Sequence, residues 1–119
     1  MKSKESVSYL RLYRRRWGLP QSELAELLGW NNKAVIARFE KKQRAPSLEL
    51  VIGCFILFGT PAAEMFPDMV TRIETAVMAR VWDFYEKVQG DPSLKTKVRI
   101  ELLEDAIERA EQRRRAHDV

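Results

Sequence analysis

The chain has 119 residues, 45% hydrophobic and 32% charged, with a formal net charge of +4. These fractions are typical of a soluble folded protein and exclude a disordered chain. The single cysteine excludes an internal disulfide, and no Cys/His cluster offers a zinc site, so no metal or cofactor is expected. The longest uncharged stretch, residues 50–63, is too short to span a bilayer, and the first residues lack a signal-peptide core. We therefore expect a cytoplasmic protein.

The positive charge is concentrated near the N-terminus. Residues 1–46 carry eleven Lys or Arg against four Asp or Glu, whereas residues 47–67 carry two acids and no basic residue. Residues 68–119 are nearly balanced, with ten basic and eleven acidic side chains. A local basic excess is typical of a phosphate-binding surface. The alternative, a solvated basic face, fits residues 68–119 better than residues 1–46.

Hydrophobic periodicity predicts helices throughout, with no strand alternation and no repeat. The first helix is predicted to start after Ser6 and to end at Trp17, with Val7, Leu10, Tyr13 and Trp17 facing the core. Two further helices are predicted over about 21–28 and, with Asn32 as N-cap, up to residue 41 or 42. They are followed by a helix opened by Pro46-Ser47 that runs to residue 58, and by a short helical turn that ends at Phe66-Pro67.

The helix that ends at residue 58 is apolar on nearly every side. Its strongest stripe consists of Leu48, Val51, Ile52, Phe55 and Phe58, but Leu50, Cys54 and Leu57 lie outside this stripe. Such a helix is buried on more than one face, so we expect a second subunit or the C-terminal helices to cover part of it. Cys54 itself fits a buried small hydrophobe better than a reactive thiol.

Two long helices are predicted after residue 67, joined at Gly90 as an antiparallel hairpin. The second helix is predicted to have Asp91 as N-cap and to end before Arg113. The main stripe of the first is Val70, Ile73, Val77, Val81, Phe84 and Val88. A second line of Met78, Trp82 and Tyr85 favours a dimer interface or core over a ligand pocket. We expect residues 1–67 to form one domain and residues 68–119 a dimerisation or partner-binding element.

Residues 21–40 have the pattern of two short helices that meet at a tight turn. Leu24, Ala25 and Leu28 recur at helical spacing, Gly29 interrupts the period, and Ile36 and Phe39 resume it. The outer face of the second helix carries Lys33, Ala34, Ala37 and Arg38. A helix with an apolar inner face and this outer face is one that a DNA major groove accepts.

Residues 10–66 resemble the lambda-repressor-like (Cro/C1-type) helix-turn-helix family of bacterial and phage regulators. The matching segments are LRLYR (10–14), GLPQ (18–21), LA (24–25), Gly29, IARFE (36–40), RAPSL (44–48) and GTPAAEMF (59–66). The resemblance covers about half of the chain and implies an all-α fold. It would comprise a five-helix DNA-binding domain followed by a C-terminal two-helix extension.

The resemblance also implies roles for individual residues. Those facing base edges would be Asn32, Lys33, Ala34, Ala37 and Arg38. Those contacting phosphates would be Gln21, at a helix N-terminus, and Lys41, Lys42 and Arg44. Arg14 and Glu40 would form a structural ion pair. A solvated side chain explains Lys33 equally well, and helix propensity alone can explain the two alanines.

The sequence departs from the family pattern in three places. Pro20 replaces the usual Ser or Thr cap before Gln21, and Lys42 replaces the glycine that commonly follows the third helix. The turn after Gly29 is one residue longer, with Trp30 expected in the core of the turn and Asn31 as the extra residue. This insertion leaves the register of the recognition helix open by one residue.

These features together predict a sequence-specific regulator of transcription, of repressor type, that binds double-stranded DNA as a homodimer. No phosphate loop or nucleophile–base pair is present, so an enzyme is not expected. The alternative is a protein-binding module, such as an antitoxin or adaptor, that uses the C-terminal helices. A small-molecule sensor built around Trp82 and Tyr85 is a third hypothesis.

Overall fold

The computed structural model describes residues 8–118, and side chains within residues 8–116. These residues form seven helices and no strand. The helices are α1 (Leu10–Arg16), α2 (Gln21–Leu27), α3 (Ala34–Glu40), α4 (Leu48–Phe58), α5 (Ala62–Met65), α6 (Pro67–Val88) and α7 (Leu94–Asp118). The predicted all-α class, five helices followed by two longer ones, is confirmed. The predicted cap Ser6 and core residue Val7 lie outside the described residues.

The chain divides into two compact units, one up to Thr71 and one from Arg72 onward. We call the second the hairpin unit and the first the N-terminal unit. Residues of α1 to α5 and Phe66 build the core of the N-terminal unit. Its buried side chains are Leu10, Leu24, Ala25, Ile36, Phe39, Leu50, Cys54, Met65 and Phe66. The N–H of Tyr9 donates to the carbonyl oxygen of Met65 at 2.9 Å, which joins the two ends of this unit.

Backbone hydrogen bonds end α2 sharply. Gly29 has φ 81°, and its N–H donates to the carbonyl of Glu26 at 3.0 Å, while the N–H of Trp30 donates to that of Ala25 at 2.8 Å. This is the Schellman arrangement, which requires a left-handed residue that glycine adopts without steric cost. Trp30 then packs on the core with its ring 5.8 Å from that of Phe39. The prediction for Trp30 is therefore confirmed.

The same arrangement ends α3, but with a lysine in the left-handed position. Lys42 has φ 62°, and its N–H donates to the carbonyl of Phe39 at 3.1 Å. The next N–H, that of Gln43, donates to the carbonyl of Arg38 at 2.9 Å. A side chain in this conformation costs about 1 kcal/mol relative to glycine. The replacement noted in the sequence therefore leaves the backbone turn unchanged and adds strain.

Trp17 was predicted to face the core, and this prediction is wrong: 66% of its surface is exposed. It is the C-cap of α1, so it lies beyond the last helical residue of the predicted stripe. The inner position of the final turn is taken instead by Arg14, which is buried.

The start of α4 is as predicted, but its buried face is not. The Ser47 hydroxyl accepts the N–H of Leu50 at 3.2 Å, as an N-cap does. Leu50 and Cys54 are fully buried, whereas part of the predicted main stripe faces outward. We call this exposed surface the α4 outer face; it consists of Leu48, Ile52, Phe55 and Ile56. Leu50 and Cys54 are four positions apart and define the buried side of α4. At about 100° per residue, the α4 outer face lies on the opposite side of the helix.

Two contacts between α6 and α7 show how these helices pair. The Tyr85 hydroxyl donates to Glu104 Oε2 at 2.8 Å, and Arg113 Nη2 donates to Glu74 Oε2 at 2.8 Å. The contact residue on α6 lies earlier in the sequence in the second pair, and the contact residue on α7 lies later. The two helices are therefore antiparallel.

The predicted limits of α7 were wrong at both ends. Ser93 is the cap, since its hydroxyl accepts the N–H of Thr96 at 3.2 Å. The Asp91 carboxylate stabilises the preceding turn through the N–H of Ser93 at 3.0 Å, which holds its pKa below the usual value. At the other end α7 continues through Arg113 to Asp118, because its arginines and alanines favour helix and Arg113 pairs with Glu74.

The main stripe predicted for α6 is only partly covered. Its members Ile73, Val77 and Phe84 are exposed, whereas Val70, Val81 and Val88 are half-buried. In the second line Met78 and Tyr85 are half-buried and Trp82 is exposed. Since α7 covers only one side of α6, the side bearing Tyr85 is covered and the other apolar side is left open. None of the helices within residues 8–118 has both the length and the apolar character needed to cross a membrane.

Candidate nucleic-acid interface

The recognition helix α3 is anchored by one face and presents the other. Ile36 and Phe39 are buried in the core. At about 100° per residue, the opposite side collects three of the five predicted base-contacting residues and one of the predicted phosphate-contacting residues. These are Ala34, Ala37, Arg38 and Lys41, of which the alanines are half-buried and the two basic side chains exposed. The small residues leave the helix backbone accessible between two cations.

The N-terminal end of α3 is set by Asn32. Its Oδ1 accepts the N–H of Ala34 at 2.8 Å, and its carbonyl accepts the N–H of Val35 at 3.2 Å. The regular helix begins two residues after Asn32, with Lys33 in the cap position and no side-chain cap bond from Lys33 itself. Asn32 thus stabilises the helix start as the sequence predicts, and both side chains are exposed at the tip of the helix.

The C-terminal end of α3 is held by a buried ion pair. Arg14 Nε donates to Glu40 Oε2 at 2.6 Å, and Arg14 Nη2 donates to Glu40 Oε1 at 3.1 Å. Only 10% and 5% of these two side chains are exposed. A two-bond pair between planar groups fixes orientation as well as distance. The pair therefore fixes the orientation of the C-terminal end of α3 relative to α1.

Two further bonds extend this pair toward the start of α2. Arg14 Nη1 donates to the carbonyl oxygen of Leu19 at 2.7 Å, and Gln21 Nε2 donates to Glu40 Oε1 at 3.1 Å. We call Arg14, Leu19, Gln21 and Glu40 the anchor cluster. Neither the contact of Leu19 nor that of Gln21 was predicted from the sequence. The bond from Gln21 to Glu40 joins residues nineteen positions apart, which no local pattern marks.

Three basic side chains follow α3, as the phosphate prediction requires. Lys41, Lys42 and Arg44 are all exposed. The Arg44 guanidinium lies 5.4 Å from the ring centroid of Phe39, which limits where its charge can be presented. A similar contact, missed in the sequence, places the Arg16 guanidinium 4.9 Å from the Tyr13 ring. Aromatic residues three to five positions away were the available signal.

The structure brings the predicted residues together in two groups. Gln21, Arg14 and Glu40 meet in the anchor cluster, and Ala34, Ala37, Arg38 and Lys41 share the outer side of α3. Asn32 and Lys33 precede this side at the N-terminal end, whereas Lys42 and Arg44 follow it at the C-terminal end.

The rest of the described chain offers little other chemistry. Within residues 8–118 no group of His, Cys, Asp and Glu side chains is arranged to hold a metal ion. Burial raises the pKa of the Cys54 thiol to about 11, so this side chain stays protonated at neutral pH and packs as a small hydrophobe.

A short helix locked against the core, joined by a tight turn to a second that presents basic side chains, defines a helix-turn-helix DNA-binding domain. Residues 10–65 match the model of a helix-turn-helix family of the Cro/C1 type. This part of the chain belongs to that family, so it is a lambda-repressor-like DNA-binding domain and the protein is a DNA-binding regulator. The comparisons with curated proteins and with solved structures yielded no match.

Proposed function

We propose that the protein represses transcription by binding a specific double-stranded DNA site as a homodimer, with α3 in the major groove. The observation that carries this proposal is the outer side of α3. Within the described residues the side chains of Arg38 and Lys41 have no hydrogen bond or ion pair to the protein, although the helix that carries them is firmly anchored. A regulator that occupies the groove over a promoter blocks the access of other proteins to it.

Each residue of this side suits a particular part of the duplex. Arg38 can donate two bonds to guanine O6 and N7, and Lys33 can donate to the same atoms at the tip of the helix. Ala34 and Ala37 suit thymine methyl groups, which need a close, uncharged surface. Asn32 keeps its amide N–H groups for adenine or a phosphate, since only its Oδ1 is used by Ala34.

The phosphate contacts fall at the two ends of the helix pair. Gln21 has a second amide N–H besides the one bonded to Glu40, so it can bind a phosphate without leaving the anchor cluster. Lys41, Lys42 and Arg44 can contact backbone phosphates beyond the C-terminal end of α3. Such contacts position the protein and are independent of sequence.

The α4 outer face is the surface we propose for the two-fold dimer. Leu48 is 75% and Ile56 73% exposed, and the charged residue of this helix, Glu49, lies at the edge of the face, seven positions before Ile56. A two-fold contact brings the same patch of both subunits together, and an apolar patch with a single acid at its edge can do so with little like-charge repulsion. Two recognition helices related in this way reach half-sites about 34 Å apart, or a multiple of that distance.

Replacing Arg38 with alanine tests base recognition. A bidentate guanine contact contributes about 1–3 kcal/mol, so affinity for the selected site should fall roughly 5- to 150-fold, with relaxed preference at one base pair. The site is obtained by selection from a random duplex library, and affinities are measured at one fixed salt concentration. Arg72→Ala, which removes the same charge from the hairpin unit, serves as the control. Equal binding of all duplexes by the unaltered protein would overturn the proposal.

Replacing Ile56 with glutamate tests the dimer surface. Two carboxylates at a two-fold contact repel and are desolvated, so the variant should sediment as a monomer at a salt concentration that screens charge contacts elsewhere on the chain. It should also lose cooperative binding to the full site. Leu94→Glu places the same charge on a residue of the hairpin unit that is 77% exposed, and it should leave the two-fold dimer intact. An Ile56→Glu protein that stays dimeric would show that another surface forms the dimer.

A further inference from the structure

The two broad sides of the hairpin unit carry opposite charge. The contacts of Tyr85 with Glu104 and of Arg113 with Glu74 fix the register of α6 against α7. At about 100° per residue, the remaining side chains of each helix then fall on one side of the hairpin or on the other. A shallow cleft marks one of these sides, lined by Trp82 and Tyr85 of α6 and by residues of α7.

The side opposite the cleft is apolar and basic, and we call it the basic face. Its apolar residues are Ile73, Val77, Phe84 and Leu102, all exposed. Its charged residues are Arg80, Lys87, Lys95, Arg99, Arg109 and Arg113. Of these, Arg113 is paired with Glu74, which lies between the helices. Asp83 and Asp105 lie between the two faces, on the sides of α6 and α7 that point away from the other helix.

The side with the cleft is aromatic and mainly acidic, and we call it the acidic face. Trp82 and Tyr85 are in edge-to-face contact with ring centroids 5.8 Å apart, and Ile107 lines the same cleft of about 270 Å³. The acids of this face are Glu86, Glu101, Glu104, Glu108 and Glu111, which outnumber Lys97 and Arg115.

We propose that the hairpin unit binds the hairpin unit of a second copy, basic face against acidic face. Pairing two basic faces or two acidic faces places like charges opposite each other in every orientation, which costs free energy. The face-to-back arrangement pairs opposite charges and covers the apolar residues of both faces. Exposed charges contribute little to affinity but select the partner and its orientation, while the apolar side chains supply the attraction.

The cleft gives this contact a defined centre. Its volume of about 270 Å³ accommodates a single large apolar side chain, and its aromatic rings with Ile107 provide an apolar floor. Leu102 is 62% exposed on the basic face and is the side chain that we assign to the partner's cleft. Because the two contacting surfaces differ, each copy keeps one free face, and the contact continues from copy to copy. The hairpin unit would therefore link two-fold dimers into larger assemblies.

Sedimentation velocity of charge-reversed chains tests this pairing. All chains carry Ile56→Glu, so that only hairpin contacts remain, and circular dichroism checks that each variant is folded. One variant has Arg80→Glu and Arg109→Glu on the basic face, and the other has Glu101→Lys and Glu108→Lys on the acidic face. The parent should form concentration-dependent assemblies at low salt that dissociate as salt screens the charges. Each variant alone should sediment as a monomer, and an equimolar mixture should assemble again.

The mixture distinguishes this arrangement from others. A symmetric pairing through one face would leave the variant of the other face unaffected, and it would overturn the proposal. A parent chain that stays monomeric across the concentration range, or a mixture that fails to assemble, would also overturn it. If the two-fold contact lies elsewhere than α4, the parent remains dimeric. The larger assemblies, and their return in the mixture, are then measured as species that sediment faster than that dimer. The outcome is therefore separable from that of the Ile56 experiment.

Discussion

The N-terminal unit and the hairpin unit differ in how much of their apolar surface they bury. The N-terminal unit buries nine hydrophobic side chains in one core and an ion pair beside it. In the described part of the hairpin unit, Leu103 and Thr96 are the buried residues, and its ion pairs are exposed. A unit with a complete core holds a fixed surface for DNA, whereas a unit that leaves apolar side chains exposed is suited to association.

The largest difference is expected between the two arginine pairs. Arg14→Met removes one partner of a buried pair and leaves the Glu40 carboxylate without its cation, at a cost of about 3–5 kcal/mol. Arg113→Met removes a pair in which 57% of the arginine side chain is exposed, and it should cost less than about 1 kcal/mol. Urea unfolding monitored by circular dichroism measures both. Similar costs for the two variants would contradict the contrast between the units.

A core leucine and a hairpin leucine sharpen the contrast further. Leu24→Ala leaves a cavity in a fully buried site and should lower the free energy of unfolding by about 2–5 kcal/mol. Leu102→Ala alters an exposed side chain and should leave the unfolding of dilute protein nearly unchanged, while it weakens the proposed assembly. Thermal unfolding at low concentration and sedimentation at high concentration separate these effects. A marked loss of stability in Leu102→Ala would indicate a core in the hairpin unit.

The smallest effect concerns Lys42, where stability and binding are expected to change in opposite directions. Lys42→Gly relieves the left-handed conformation at φ 62° and should stabilise the N-terminal unit by about 0.5–1 kcal/mol. The same change removes a proposed phosphate contact, so binding to all duplexes should weaken and the salt dependence should become shallower. Lys42→Ala is the matched control, since it removes the charge and keeps the strain. A Lys42→Gly protein with unchanged DNA affinity would exclude the phosphate contact.

Local signals in the sequence predicted most of the N-terminal unit. Gly29 ended α2, Ser47 capped α4, and the spacing of Leu24, Ile36 and Phe39 identified the core side of the helix pair. These features depend on neighbours within a few residues, so the sequence carries them directly. The motif around Arg14 and Glu40 also pointed to two residues that the structure brings into contact.

The missed features depend on partners far away in sequence. Both α4 and α6 have apolar residues on more than one side, so periodicity alone did not show which side the rest of the unit would cover. In α4 the covered side bears Leu50 and Cys54, and in α6 the covered side bears Tyr85. The bond from Gln21 to Glu40 required the positions of α2 and α3 to be known. The end of α7 was misplaced because a run of three arginines was interpreted as a tail.

The position of Cys54 provides a built-in reporter for one half of the molecule. The chain has a single cysteine, and it lies in the core of the N-terminal unit with no exposed surface. Burial and a pKa of about 11 protect it, so a thiol reagent can react only when that unit opens. The rate of labelling therefore follows the opening of the DNA-binding half alone. Added DNA that binds this half should slow the reaction in proportion to its occupancy, with no engineered probe required.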